Sequence, residues 1–264
     1  MIDLLVFLIG AIFGSAANAL IDRLPKDKSW VKGRSECDSC KHVLAWQDLI
    51  PVLSYLELVV RKFKTKNKLK FWQAGCRYCH SPIPVRNLLV EIFVGTGFVL
   101  INHGSLSAAS LILSLILWVT TIIAVMDWET KLVSDVMVVV WAGLIIGWQL
   151  SGAGLTGGDL SGNIWGGIIG LVLIGGIWAV SRGRAMGLGD VEIAAVMGWW
   201  LTWQNMLVAL WVGFVTGAAI GVLKVVNKQA KLKSEMAFGP FLILGTWAAF
   251  LFGVQMWKMW TGAV

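Results

Sequence analysis

Apolar residues lie along this chain in long continuous runs, each closed by a short polar, basic or glycine-rich stretch. The runs predict helices at 2–20, 87–102, 107–126, 135–150, 163–181, 190–202, 205–223 and 239–257. Lengths near ~20 residues match the hydrocarbon core of a bilayer, so the pattern predicts an all-α polytopic membrane protein of about eight transmembrane helices. The sixth run, at 190–202, makes only about three and a half turns. That length fits a helix whose cytosolic end is sunk into a protein-lined cavity rather than exposed to lipid. Between the first two runs the chain is poor in long apolar stretches. The expected organisation is a first transmembrane helix at 1–20, a soluble insert at 21–86 and a membrane core at 87–264.

Composition agrees with a bilayer as solvent. The chain is 57% hydrophobic and 14% charged, with a mean hydropathy of +0.76, more apolar surface than a globule of 264 residues can bury. Fourteen of the 22 Lys and Arg fall between Arg23 and Arg86, and Lys131, Arg182, Arg184, Lys224, Lys228, Lys231 and Lys233 fall in alternate later loops. Basic residues are retained in the cytosol, so an eight-helix chain with both termini outside the cytosol places all of them except Lys258 on the cytosolic side. The net charge of +7 is then a topology signal and an attraction to anionic lipid, and no nucleic-acid partner is expected. Ala17, Asn18 and Ala19 resemble a signal-peptidase site, but the run lacks a basic n-region and its positive charges follow it.

The insert carries all four cysteines, as Cys37-x-x-Cys40 and Cys76-x-x-Cys79. This internal spacing suits tetrahedral thiolate coordination of Zn2+, and four thiolates leave no open position for water, so the expected role is structural. Two disulfides are the alternative, disfavoured in the reducing cytosol; another replaces one thiolate with His42 or His80. The basic run at 61–70 reads as a solvated face or hairpin, or a contact with anionic headgroups.

Two aspartates stand out. Asp127 closes the apolar run at 108–126, and Asp190 ends Met186-Gly187-Leu188-Gly189-Asp190 at the start of another. Charges at or within a bilayer are costly and mark function. Two carboxylates on separate helices that meet and share one proton form the arrangement of an aspartyl protease: one takes a proton from water, the other polarises the scissile carbonyl. Such a pair titrates with two coupled values and gives a bell-shaped pH profile. Gly187 and Gly189 leave backbone open beside Asp190 for an extended substrate or a packed helix. The plainer reading makes both aspartates interfacial helix-end residues, with Asp190 a cap. Glu129, Asp135 and Glu192 lie nearby; Asp135 is a candidate N-cap after Ser134, and Glu91 a candidate partner for a basic residue or a lining residue of the same cavity. Sixteen Trp read mainly as interfacial belts.

The ordered set of GSAAN at 14–18, DRLP at 22–25, the two CxxC pairs, IPVLSY at 50–55, PIPVR at 82–86, Asp127, GLGD at 187–190 and FGP at 238–240 resembles the type IV prepilin peptidases over nearly the full chain. The resemblance implies a GxGD-type aspartyl membrane protease of the bacterial cytoplasmic membrane. Such an enzyme removes the short leader of type IV prepilins or pseudopilins after a Gly on the cytosolic face. It then N-methylates the new first residue, usually Phe, with S-adenosylmethionine. Asp127 and Asp190 match the family aspartates. Glu192, the Met236-Ala237 pair and Ala16-Ala17 with Asp22 depart from the family's usual residues without touching that pair. No glycine-rich strand-to-helix turn offers a nucleoside site, so no residue is assigned to S-adenosylmethionine. The competing classes are a monofunctional peptidase, a transporter or assembly scaffold in which the aspartates relay protons or bind an ion, and a zinc module on a membrane anchor. The absence of paired interrupted helices in matching halves counts against the transporter.

Overall fold

The computed structural model describes residues 2–26, 36–37, 39–43, 45, 51–52, 54–55, 57–59, 74–103, 106–152, 160–228 and 236–262. The basic run at 61–70 and most of the glycine-rich link around Asp159 lie outside them. Among the described residues the regular structure is helical: α1 Ile2–Arg23, α2 Val85–Asn102, α3 Ala108–Thr130, α4 Asp135–Leu150, α5 Leu160–Ser181, α6 Leu188–Trp200, α7 Trp203–Val226 and α8 Gly239–Thr261, with a 3-10 turn at Leu24–Lys26. Each coincides with one of the expected runs. The chain is an all-α multi-pass membrane protein. Six helices are long and apolar enough to cross a bilayer, whereas α4, with 16 residues, and α6, with 13, are shorter. Ser134, not Asp135, occupies the N-cap of α4, and Asp135 is its first helical residue.

Contacts divide the chain into Met1–Ile122 and Ile123–Val264, with the boundary inside α3. In the first unit α1 packs along α2. A Cβ on Gly10 would stand 2.8 Å from the Gly95 Cα, and one on Gly14 would stand 2.6 Å from the Glu91 Cα, so only small residues at this spacing let the backbones meet. The Trp118 indole donates to the Phe13 carbonyl at 2.7 Å and sets its ring edge-on to Phe13. Asn102 donates to Ser114 Oγ at 2.8 Å, satisfying a buried amide between α2 and α3. Next to the N-terminal end of α2, Tyr55, Leu58 and Ala74 are buried against the partly buried Val59, Ile83, Val85 and Leu88, a small core that α2 itself helps to build.

In the second unit α5 pairs with α6 and α7 with α8, and α6 also packs on α4 and α8. The α5–α6 seam is backbone against backbone: a Cβ on Gly166 would strike the Gly198 carbonyl oxygen, and one on Gly170 the carbonyl oxygen of Ala194. The antiparallel register places Gly162 beside Thr202 and Gly175 beside Val191. From Gly175, α5 continues to Ser181, about 9 Å further at 1.5 Å per residue. Asp190, in the first turn of α6, therefore lies about 7 Å short of the end of its neighbour. The tryptophans differ from expectation in part. Trp165 and Trp211 are exposed, but Trp141 and Trp200 are buried and form an interior aromatic stack with Trp148, Trp247 and Phe250.

Candidate active site and cysteine cluster

Asp127 sits near the C-terminal end of α3 and Asp190 in the first turn of α6, and both are buried, at 5% and 8% exposure. The fold brings them near enough for like-charge repulsion between the two carboxylates. Each accepts one glycine amide: Gly239 N–H donates to Asp127 Oδ2 at 2.8 Å, and Gly187 N–H donates to Asp190 Oδ2 at 3.1 Å. Gly187, not Asp190, is the N-cap of α6; Asp190, the third helical residue, reaches back to the cap's amide while lying near the second aspartate. A charge inside a bilayer costs roughly 2.5–3.5 kcal/mol or more, and one hydrogen bond to a charged group returns about 1.5–3 kcal/mol. Two such charges placed together add repulsion, so these bonds alone do not account for the pair as a stabilising feature.

The surrounding glycines divide by role. A Cβ at position 239 would stand 2.7 Å from Asp127 Oδ2 and 3.2 Å from Ile193 Cδ1, so only glycine lets the start of α8 press its amide onto the carboxylate. A Cβ at position 189 would stand 2.5 Å from Val133 Cβ; that space is filled by the segment after α3 and is not open to a substrate. At position 187 the nearest atom to a Cβ would be Asp190 Oδ2 at 3.8 Å, which leaves this backbone accessible. Gly239 was visible in the sequence only as part of FGP. Its role depends on a contact 112 residues away in the chain, which no local pattern encodes.

Other acids have other partners. Glu192 lies close enough to Asp135 for their charges to repel. Glu91, in the first unit, accepts the Val52 N–H at 2.7 Å and bonds the Ser15 side chain; among the described residues it has no basic partner. Lys224 stands 4.4 Å over the Trp128 ring, the residue after Asp127.

The four cysteines converge. Their Sγ atoms all lie within 4.8 Å of one another, Cys37 and Cys79 at 3.8 Å, and none is in a disulfide. Tetrahedral zinc–thiolate bonds of about 2.3 Å imply sulfur separations of about 3.8 Å, so a set that spans no more than 4.8 Å needs only small side-chain shifts to hold the ion. The two loops repeat one geometry. Lys41 N–H donates to the Cys37 carbonyl and Cys37 N–H to that of His42, while His80 N–H donates to the Cys76 carbonyl and Cys76 N–H to that of Ser81. Lys41 and His80 are both left-handed, φ 57° and 59°. His42 stacks on Tyr78 at 3.6 Å and takes no place in the cluster. Burial pushes the Cys37 thiol up, but bonds from the Cys40 amide, Ser81 and their neighbours outweigh it and bring it to about 6. The His42 amide pulls Cys40 down, but lost solvation and the other thiols carry it to about 11.

The model of the bacterial peptidase A24 N-terminal domain matches residues 8–104, and that of the type IV leader peptidase family matches residues 113–222, across both aspartates. This chain belongs to the type IV leader peptidase family. Within that family it is similar to the prepilin leader peptidase/N-methyltransferase of Stutzerimonas stutzeri, 26% identical with 96% of this chain and 91% of the relative covered. It is also similar to those of Myxococcus xanthus, 29% identical over 96% and 74%, and Pseudomonas aeruginosa, 26% identical over 96% and 91%. No solved structure matches the chain. As a leader peptidase it must bring water and a scissile peptide to one acid–base centre, and Asp127 and Asp190 are the buried acids that the fold sets against each other.

Proposed function

We propose that this membrane peptidase removes the leader of type IV prepilins or pseudopilins after a Gly at the cytosolic face of the bacterial inner membrane, with Asp127 and Asp190 as its acid–base pair. The observation that carries the reading is the approach of these two buried carboxylates from the ends of separate helices, each steadied by one glycine amide on Oδ2. Among the described residues no protein donor meets either Oδ1, which leaves one oxygen of each for water and substrate. One carboxylate, ionised, takes a proton from the attacking water while the other, protonated, polarises the carbonyl; the shared proton then returns to the leaving amine. The names of the relatives support a second step, N-methylation of the new first residue with S-adenosylmethionine as methyl donor. Cys37, Cys40, Cys76 and Cys79 would hold a structural Zn2+ that supplies cohesion to the insert rather than chemistry. The distribution of basic residues supports an insert in the cytosol and both termini outside it.

Mass spectrometry of a prepilin substrate incubated with the purified protein in lipid tests this directly. Loss of the leader after Gly, with a methyl-sized gain only when S-adenosylmethionine is present, supports both steps. Cleavage without the gain reduces the reading to a peptidase, and an intact substrate overturns it.

A further inference from the structure

The first unit holds a buried carboxylate that peptide cleavage does not use. Glu91 is 8% exposed in the second turn of an apolar helix, and its partners among the described residues, the Val52 amide and Ser15, are both neutral. The guanidinium nearest in sequence, that of Arg86, is turned to Asp22, at 2.9 and 3.0 Å. Val52 reaches Glu91 in a left-handed conformation, φ 61°, which a β-branched residue rarely adopts. Strain of about 1–3 kcal/mol of this kind persists only where the surroundings over-determine it, and it clusters at functional sites. A second observation points the same way. Asn18 is 5% exposed, and its Nδ2 donates to the Asn87 carbonyl at 3.0 Å, which fixes the other end of the amide as the oxygen. Among the described residues that buried Oδ1 has no partner.

These acceptors share one seam. Ser15 and Asn18 are a turn apart on α1, Asn87 and Glu91 a turn apart on α2, and the helices meet where Gly14 abuts the Glu91 Cα. A buried amide oxygen without a donor costs about 1–3 kcal/mol, and a carboxylate offers about four lone-pair sites, of which two are used here. A ligand that suits both acceptors is a cation with several N–H donors, small enough to enter between apolar helices. A primary ammonium has three donors and one charge.

We infer that Glu91 and Asn18 Oδ1 bind a primary ammonium, the one that leader cleavage creates at the first residue of the mature substrate. This rests on the proposed function. The new ammonium arises at a pair of aspartates on apolar helices, so it is released among apolar side chains, where an unpaired charge is strongly disfavoured. Bound there, it can pass one proton from nitrogen to a Glu91 oxygen; the N–H electron pair stays on nitrogen as the lone pair that N-methylation requires. A lysine of the leader offers the same chemistry from a second source.

The test measures binding of product-like peptides to the full-length protein in lipid nanodiscs, where no cleavage is needed. One peptide has a free first amine, the second has that amine acetylated, and a third is a leader peptide with its lysines intact or acetylated. The wild type should favour the free first amine by roughly tenfold or more, the worth of one charge-assisted bond. Glu91→Gln, which keeps an oxygen for the Val52 amide, should bind the free and acetylated peptides alike. Equal binding of both by the wild type overturns the inference, as does a preference that survives Glu91→Gln. A preference that follows the leader lysines instead overturns the assignment to the new N-terminus. A chain that cuts no prepilin yet keeps this amine preference would overturn the proposed function and leave the binding site standing.

Discussion

Asp127 and Asp190 each lean on a single glycine amide, and the consequences of losing charge and of losing position can be separated. Asp127→Asn and Asp190→Asn keep size and a hydrogen-bond acceptor but remove the proton exchange, so each should lower the cleavage rate by at least about 10²- to 10⁴-fold while thermal stability in detergent holds. Stability lost in step with activity would count against a catalytic pair. Gly239→Ala keeps both carboxyl groups in the chain but sets a methyl 2.7 Å from Asp127 Oδ2, which must move it. Cleavage should fall by about 10²-fold, since displacement of a reacting group by an ångström has that effect, with little change in substrate KM. Gly189→Ala differs in cause. It overpacks against Val133 and should lower stability by about 1–3 kcal/mol. Because the nearest atom is Val133 Cβ itself, Val133→Gly should restore part of the loss and Val133→Ala should not, as melting curves of the paired variants would show.

At the scale of elements, the two CxxC loops behave as one clip. Replacing any of Cys37, Cys40, Cys76 or Cys79 with Ser should release bound zinc and make the insert the first site of limited proteolysis; metal analysis beside peptide mapping checks this. Zinc affinity should also weaken on acidification. The Cys37 thiol, near 6, is already largely ionised at neutral pH, whereas the Cys40 thiol, near 11, must give up its proton to bind, so a falling pH favours the free cysteines.

The helices themselves were legible because apolar run length is a one-dimensional property, and the runs at 107–126 and 239–257 reappear as α3 and α8 within a few residues. The cysteine set was legible because its spacing is local. The bond from Gly239 to Asp127, the buttress of Val133 behind Gly189 and the grip of Glu91 on Val52 were not, since each joins segments far apart in sequence. Nor could counting tryptophans separate Trp165, exposed, from Trp141, buried, because both sit in equally apolar stretches.

At the scale of the whole molecule, the two contact units resemble the division between the two family models, at 8–104 and 113–222. The clip and the unexplained carboxylate belong to the first unit, the aspartates to the second. The recess of Asp190 makes the second unit a depth gauge. With Asp190 about 7 Å short of the end of α5, the level of the proposed reacting pair is set by a fixed difference between two helix lengths, held by glycine contacts that cannot slide. A substrate hung in the bilayer by its apolar segment then presents its bond at the correct height only if that bond lies a set number of residues from the segment. Lengthening the leader upstream should leave cleavage within about twofold, whereas two residues inserted between the cut and the apolar segment, about 3 Å as helix, should lower it by about tenfold or more. Equal rates for the two series would remove the gauge. On this account the enzyme would recognise a position along the membrane normal as well as a sequence, and the register of the bond to the bilayer would select the bond that is cut.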